Sequence, residues 1–335
     1  MSWLPLLLAD PSACLRWLVL RDLFGRPAGD PELAELAVLR QHDPLVTELL
    51  VLQEADGSWR TGVLAATRRA GSRTQATAFA LARLGYLGFN AAHPAVRAGA
   101  EYLFSQQQTD GSWPLMEEAA LTDGNSEIPA NERYSMIPLQ TAFPLRGLAA
   151  CGYAMDLRAE RAYEWLLAQQ LDDGAWPTGM AAGVYGYVAG YRKLVGSRWG
   201  CRSNTTGALM CLALHPGRCT SESARRALDL LLGRETRELI SLGLEVARLV
   251  GAEPAHGFFT YFARFDLALV VDLCRRVGIS KDEPRLADLL GFIHSLQGEY
   301  GLWESADWPQ AARWLTFDLL RSLCRLNDIS LQDPG

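Results

Sequence analysis

No apolar run in this 335-residue chain approaches the ~20 residues that a bilayer-spanning helix needs. The opening Met1–Ala9 stretch is apolar, but it has no basic flank and stops at Asp10, so it is too short and wrongly bordered for a secretory leader. An excess of positive charge is missing as well. Against 32 basic side chains stand 38 acidic ones, for a formal net charge of −6 without long runs of either sign. No basic face is available to neutralise phosphates, and nucleic acid is a poor partner on that ground. Cysteine is sparse and odd in number: Cys14, Cys151, Cys201, Cys211, Cys219, Cys274 and Cys324 lie scattered, mostly in apolar runs. That pattern fits reduced thiols in a cytosolic protein rather than a disulfide framework. What the chain does have is apolar mass, 49% of its residues, enough to bury a sizeable core.

It also has a repeat. Gln-x-x-Asp-Gly-x-Trp occurs at Gln53/Asp56/Gly57/Trp59, Gln107/Asp110/Gly111/Trp113 and Gln170/Asp173/Gly174/Trp176. A fourth copy, Gln297/Tyr300/Gly301/Trp303, replaces the acid with tyrosine. Five positions before the glutamine, three copies carry an aromatic residue: Tyr102, Trp165 and Phe292. The tryptophans are 54, 63 and 127 residues apart, and the last interval is about two repeats long. A degenerate repeat that has lost its Gly-x-Trp therefore falls near 224–240.

Apolar spacing within each repeat is helical, and the segments are long enough for helices. One helix runs into the glutamine, as over 94–107, where Pro94 suits a first helical position. Asp-Gly then breaks it, because glycine adopts positive φ cheaply and aspartate bonds nearby amides. A second, more uniformly apolar helix follows a loop, over 73–85, 138–152, 204–215, 261–278 and 312–327. Such helices belong to an inner layer. The capped segment from Asp10 through Leu20 supplies a sixth. The predicted fold is all-α, an (α/α)6 toroid of helical hairpins forming one domain over 1–335.

With Tyr102-Leu103 and Trp165-Leu166 ahead of them, these turns resemble the QW repeats of squalene and oxidosqualene cyclases. The same superfamily includes class II diterpene cyclases and the β subunits of protein prenyltransferases. The resemblance runs from about residue 40 to 327. It implies a central cavity that in relatives holds an isoprenoid, with turns that are structural: the glutamine ties loop backbone to a helix end, and tryptophan covers the outer helices. The catalytic motifs of those relatives do not carry over. The D-x-D-D whose middle acid protonates an alkene is missing, and Asp172-Asp173-Gly174-Ala175-Trp176 does not spell the magnesium-binding D-D-x-x-D. Asp272-Leu273-Cys274 matches the zinc-binding Asp-x-Cys pair locally, but no histidine follows at a suitable distance, and Cys274 reads as a packing residue. Cys201, Cys219, His215 and His256 match no zinc spacing either.

Chemistry must then come from other residues. Tyr191, Arg192, Lys193, Arg198, Trp199, Arg202 and Asn204 crowd a glycine-rich loop leading into an inner helix. Arginines, a lysine and helix-terminal amides suit a diphosphate, which would bring magnesium with it, while aromatics suit an isoprenoid chain. A solvated basic loop explains the same residues. A second group sits near other inner-helix starts: Asn131, Arg133, Tyr134 and Gln140; His256, Tyr261, Arg264 and Asp266; Trp308, Arg313, Trp314 and Asp318. Polar groups there must be paired or face a cavity, which makes Asp266 and Asp318 the candidate catalytic acids unless Arg264 and Arg313 hold them in salt bridges. Two functions remain open: a terpenoid-cyclase-like protein binding an isoprenoid or lipid, or a non-catalytic toroid binding a lipid, peptide or protein partner. Carbohydrate cleavage ranks behind both, since no carboxylate pair is marked. The apolar Leu4–Leu8 segment could dock on a membrane, but packing as a barrel wall explains it more simply.

Overall fold

The computed structural model describes residues 3–60, 73–115, 134–181, 183–186, 192–233, 240–254 and 261–326. The helices begin where the sequence supplies caps. Asp30, Asp43, Asp156, Ser221 and Glu283 accept backbone N–H bonds in the first turns of α3 (Pro31–Leu39), α4 (Pro44–Leu50), α8 (Leu157–Ala168), α10 (Glu222–Leu231) and α13 (Pro284–Ser295). Proline opens α3, α4, α13 and α6 (Pro94–Ser105). These outer helices are amphipathic: in α10 the buried residues are Ala224, Ala227, Leu228 and Leu231, one stripe at helical spacing.

The inner helices are buried on nearly every side. They are α5 (Arg73–Tyr86), α7 (Leu139–Ala150), α9 (Arg202–Leu214), α12 (Leu267–Val277) and α14 (Ala312–Leu326). Successive inner helices pack side by side, and α14 packs on the π-helical turn Val19–Leu23 that continues α2 (Ala13–Leu18). Small residues allow the closest approach: a side chain at Gly147 of α7 would meet the Ala78 carbonyl of α5 at 2.4 Å. The short α1 (Leu4–Leu8) lies against α2 and α14 with Leu4 and Leu7 buried, as a wall of the barrel. Among the described residues no helix is long and apolar enough to cross a membrane.

The four repeated turns share one hydrogen-bond scheme. Each tryptophan indole donates to the carbonyl ten residues earlier: Trp59 to Leu49, Trp113 to Leu103 and Trp176 to Leu166 at 2.7 Å, Trp303 to Ile293 at 2.8 Å. Each tryptophan backbone N–H donates to a threonine hydroxyl on the next inner helix, from Thr77, Thr141, Thr205 and Thr316. In the first three turns the glutamine amide donates both to its own turn, at Gly57, Gly111 and Gly174, and to the following outer helix, at Ala95, Arg158 and Ser223. The acceptor at Ser223 marks α10 as the outer helix of the degenerate repeat. Gly111 shows why the turn needs glycine: its φ is +94°, and a Cβ there would stand 2.5 Å from the Arg161 carbonyl.

After α10 the chain turns inward. Strand β4 (Ile240–Ser241) leads into α11 (Leu244–Leu249), all six residues of which are buried, and pairs in parallel with β5 (Phe265–Asp266). Four inner elements hold α11. Arg83 of α5 donates to the Leu249 carbonyl at 2.8 Å, Arg146 of α7 pairs with Glu245, Leu315 of α14 packs on Gly243, and Asp266 ahead of α12 caps its start. Beside it, Phe79, Phe143, Tyr261 and Phe262 pack largely edge to face, with ring centroids 4.7 to 5.9 Å apart. The bore of the toroid is thus occupied by the chain itself. Three further strands, β1 (Tyr134–Met136), β2 (Met180–Ala181) and β3 (Val184–Tyr185), form a small antiparallel sheet.

Candidate functional site

Packing α11 into the bore leaves a cavity of about 300 Å³ toward the C-terminal ends of the inner helices. Its lining mixes apolar side chains, Ala82, Ala150, Met210, Leu214, Val246, Leu249 and Leu269, with polar ones. The polar side chains are Arg21 and Asp22 from the π-helical turn, Tyr86 from α5, Arg146 from α7, Glu245 from α11, Asp266, Asp272 and Arg276 from the α12 region, and Asp318, Arg321 and Arg325 from α14. Arginines near helix C-termini are favoured by the helix dipole. Their density here also answers the carboxylates.

The charges are cross-linked. Asp22 accepts from Arg21 at 2.5 Å and lies 3.7 Å from Arg321. Asp318 accepts from Arg321 at 2.8 Å, and Asp272 from Arg275 and Arg276 at 2.7 and 2.6 Å. Arg146 pairs with Glu245, which also accepts from the Tyr261 hydroxyl at 3.2 Å. Burial alone would push the Asp272 carboxyl up, but Arg276, Arg275 and Arg321 together hold it well below the usual carboxylate range. Asp22 is likewise held down by Arg21, Arg321 and Arg325 against the effect of burial. Asp318 goes the other way, to about 6, because burial and the neighbouring Asp272 charge outweigh Arg321. Burial, and next the Asp318 charge, lift the Tyr86 hydroxyl well above its ordinary value.

Both candidate acids therefore line this cavity, in different states. Asp266 has both oxygens engaged by backbone amides: Oδ1 accepts from Gly243 at 2.9 Å and Ala268 at 3.1 Å, and Oδ2 from Glu245 at 2.6 Å. Burial lifts its carboxyl to about 6 while those amides pull it down. It caps α11 and α12 together. Neither acid is held by the arginine the sequence suggested: Arg264 is exposed, 3.8 Å from Asp307, and Arg313 pairs with Asp10 at 3.1 Å.

The described residues of the basic loop differ in burial. Arg202 is buried and donates to the Ala263 carbonyl at 2.9 Å, whereas Lys193 and Arg198 are exposed, Arg198 lying over Trp199. The Arg192 carbonyl accepts the Arg202 amide at 2.9 Å. None of Arg192, Lys193, Arg198, Trp199 or Arg202 lines the cavity. Asn204 and Gln140 are committed to backbone: Asn204 joins Leu139 N–H to the Thr178 carbonyl, and Gln140 joins Ile137 N–H to the Trp113 carbonyl. Tyr261 belongs to the aromatic filling, and Trp314 packs on Tyr86 with ring centroids 5.8 Å apart. Asn131, Arg133, Tyr191 and His256 lie outside the described residues, as does the side chain of Tyr134. His215 has both ring nitrogens engaged, by Glu160 and the Gly217 amide, and Cys274 is buried in α12.

Sequence reasoning passed over Arg21, Asp22, Tyr86, Arg146, Glu245, Asp272, Arg276 and Arg321 as site residues. The signal was present: charges set in the apolar second halves of inner helices, as Arg146 stands in Phe143-Pro-Leu-Arg-Gly-Leu.

The family profile of the squalene-hopene cyclase C-terminal domain matches residues 45–191. No protein of curated function matches the chain. Among solved structures, the type II terpene cyclase MstE from Scytonema, in complex with geranylgeranyl dihydroxybenzoate as substrate, is similar with a TM-score of 0.50 and 17% identity, over 83% of this chain and 70% of that one. A protein from Actinoplanes is similar with a TM-score of 0.49 and 16% identity, over 94% of this chain and 90% of that one. The profile match is confined to residues 45–191, and the likeness to the MstE structure shows a shared toroid fold.

Proposed function

We propose that the protein binds an isoprenoid amphiphile in the cavity beneath α11, its chain against the apolar side chains and its polar end toward the arginines. The observation that carries this reading is a cavity lined by both apolar side chains and arginines inside a squalene cyclase-like toroid. Its volume of about 300 Å³ is at the small end for ligand pockets, which favours a chain of farnesyl size or shorter over squalene. If the protein turns its ligand over, Asp318 is the general acid, since it stands in the cavity with its carboxyl lifted toward neutrality and Asp266 is held by three amides. A diphosphate-bearing ligand would bring magnesium with it.

Thermal-shift titration with geraniol, farnesol, squalene and the prenyl diphosphates, each with and without magnesium, followed by extraction and mass analysis, tests the reading. Ligand bound to the native state raises stability by RT ln(1 + [L]/Kd). A shift for the shorter chains and none for squalene is the expected result; no shift with any isoprenoid would overturn it. One observation favours a second reading, a non-catalytic scaffold: the bore is filled by α11 and the aromatic group. Binding without a new product mass would support that version.

A further inference from the structure

The short helix in the bore has the ends and the anchoring of an element that can leave its place. Gly243 and Gly251, at φ +85° and +75°, bracket the six residues of α11. Changes at a few such element-terminal positions are enough to swing a segment. Between the two glycines the helix is held by charge as much as by apolar packing. Glu245 is buried against Arg146 and the Tyr261 hydroxyl, and Arg248 is buried against the Tyr261 carbonyl. Arg83 donates to the Leu249 carbonyl, and beyond Gly251 the Glu253 carboxylate accepts from the Trp308 indole at 2.8 Å. Desolvating charges of this kind offsets much of what their pairing contributes, so withdrawal into water returns hydration that an apolar helix of the same size would not recover. The helix is also a partition. Its Glu245, Val246 and Leu249 line the cavity, while Glu245 meets Tyr261 of the aromatic group that fills the rest of the bore.

We infer that α11 is a displaceable plug, whose withdrawal joins the bore to the cavity and lengthens the chain that the protein holds. With α11 seated the space is about 300 Å³. With α11 withdrawn, Phe79, Phe143, Tyr261 and Phe262 line its continuation. The consequence for chain length rests on the isoprenoid reading above, whereas the displacement itself does not.

Native-state hydrogen exchange on the full chain without ligand, followed by thermal-shift titration with farnesol and geranylgeraniol, tests it. Two variants push α11 in opposite directions. Glu245→Gln keeps the volume but leaves Arg146 a buried charge without its acid, which penalises the seated form alone. Arg146→Met with Glu245→Leu and Tyr261→Phe replaces the polar grip by an apolar one and strands no hydroxyl. In the unaltered protein the amides of Leu244–Leu249 should exchange about 100-fold faster than those of α7, with weak dependence on urea, as a local opening does. Glu245→Gln should speed their exchange about tenfold and add a thermal shift with geranylgeraniol, and the triple variant should slow it about tenfold and bind farnesol alone. Exchange of α11 only through global unfolding in the unaltered protein would overturn the plug even if neither variant folds. So would α11 exchange that both folded variants leave unchanged. An unchanged preference for farnesol in a variant whose α11 exchanges faster would overturn the joining of the two spaces. The two proposals fail separately: if no isoprenoid binds any of the three proteins, the isoprenoid reading falls, and hydrogen exchange still decides the displacement.

Discussion

Replacing Asp266 with alanine should loosen the bore while leaving the outer ring in place. The carboxylate accepts three backbone N–H bonds, from Gly243, Glu245 and Ala268, and so caps α11 and α12 at once. One N-cap is worth about 1–2 kcal/mol, and a buried donor left unmet costs about 1–3 kcal/mol. Water entering the new space would meet part of the demand, so the substitution should cost about 3–5 kcal/mol, in the range reserved for broken buried networks. Asp266→Asn keeps the shape and one acceptor oxygen, and should cost about 1–2 kcal/mol. Urea unfolding measures the total, and hydrogen exchange locates it: amides of Leu244–Leu249 should lose protection before those of α5 or α7. An Asp266→Ala protein less than ~1 kcal/mol weaker, with α11 amides still protected, would refute the capping argument and return Asp266 to the list of residues held for chemistry.

Other consequences follow from the same geometry. Gly111→Ala adds a Cβ 2.5 Å from the Arg161 carbonyl at φ +94°, whereas Gly152→Ala at φ +92° meets nothing within 4 Å. The second should cost only the ~1–2 kcal/mol of left-handed backbone and the first clearly more, so equal melting temperatures would contradict the turn geometry. Thr205→Val keeps the shape but strands the buried Trp176 N–H, at about 1–3 kcal/mol by urea unfolding; a loss under ~0.5 kcal/mol would mean that the bond is dispensable. Asp318 carries its proton up to about pH 6 in the fold against an ordinary 3.8, so the folded state binds that proton more tightly and stability declines as pH rises from about 4 to 6. Asp318→Asn should remove this part of the decline, seen as a flatter melting temperature between pH 4 and pH 7, and an unchanged slope would place the titration elsewhere.

The ring was legible because its turns are local. Gln, Gly and Trp stand at fixed offsets, and the indole reaches a carbonyl ten residues back on its own helix, so one short pattern carries the whole geometry. Its threonine partners were not legible, since they lie 13 to 29 residues past the tryptophan at no constant spacing. The site was harder still. A glycine-rich loop with Arg192, Lys193, Arg198 and Arg202 gathers charge along the chain, but one side chain turns inward to the Ala263 carbonyl while Lys193 and Arg198 face solvent. Charge that does meet in space comes from the π-helical turn, α5, α7, α11, α12 and α14, and only closing the ring brings Arg21, Asp272 and Arg321 to one cavity. Asp318 could be singled out because a carboxylate in an apolar helix is costly wherever it sits.

The place where the repeat fails in sequence precedes the segment that fills the bore. The matched profile, residues 45–191, spans the three complete turns and ends before the degenerate repeat. A complete turn pins its tryptophan between a helix carbonyl and the threonine of the next inner helix, which fixes the chain at the rim. The repeat at α10 lacks Gly-x-Trp, and the described chain that resumes at Ile240 packs into the bore as α11. Glu245 then needs a buried cation and finds it in Arg146 of α7, and Leu249 supplies the carbonyl that Arg83 of α5 requires. Arg83 and Arg146 are thus internal partners of α11, and a cavity lies toward the C-terminal ends of the inner helices. The bore being filled, the proposed ligand is to be sought in the arginine-lined cavity beside α11.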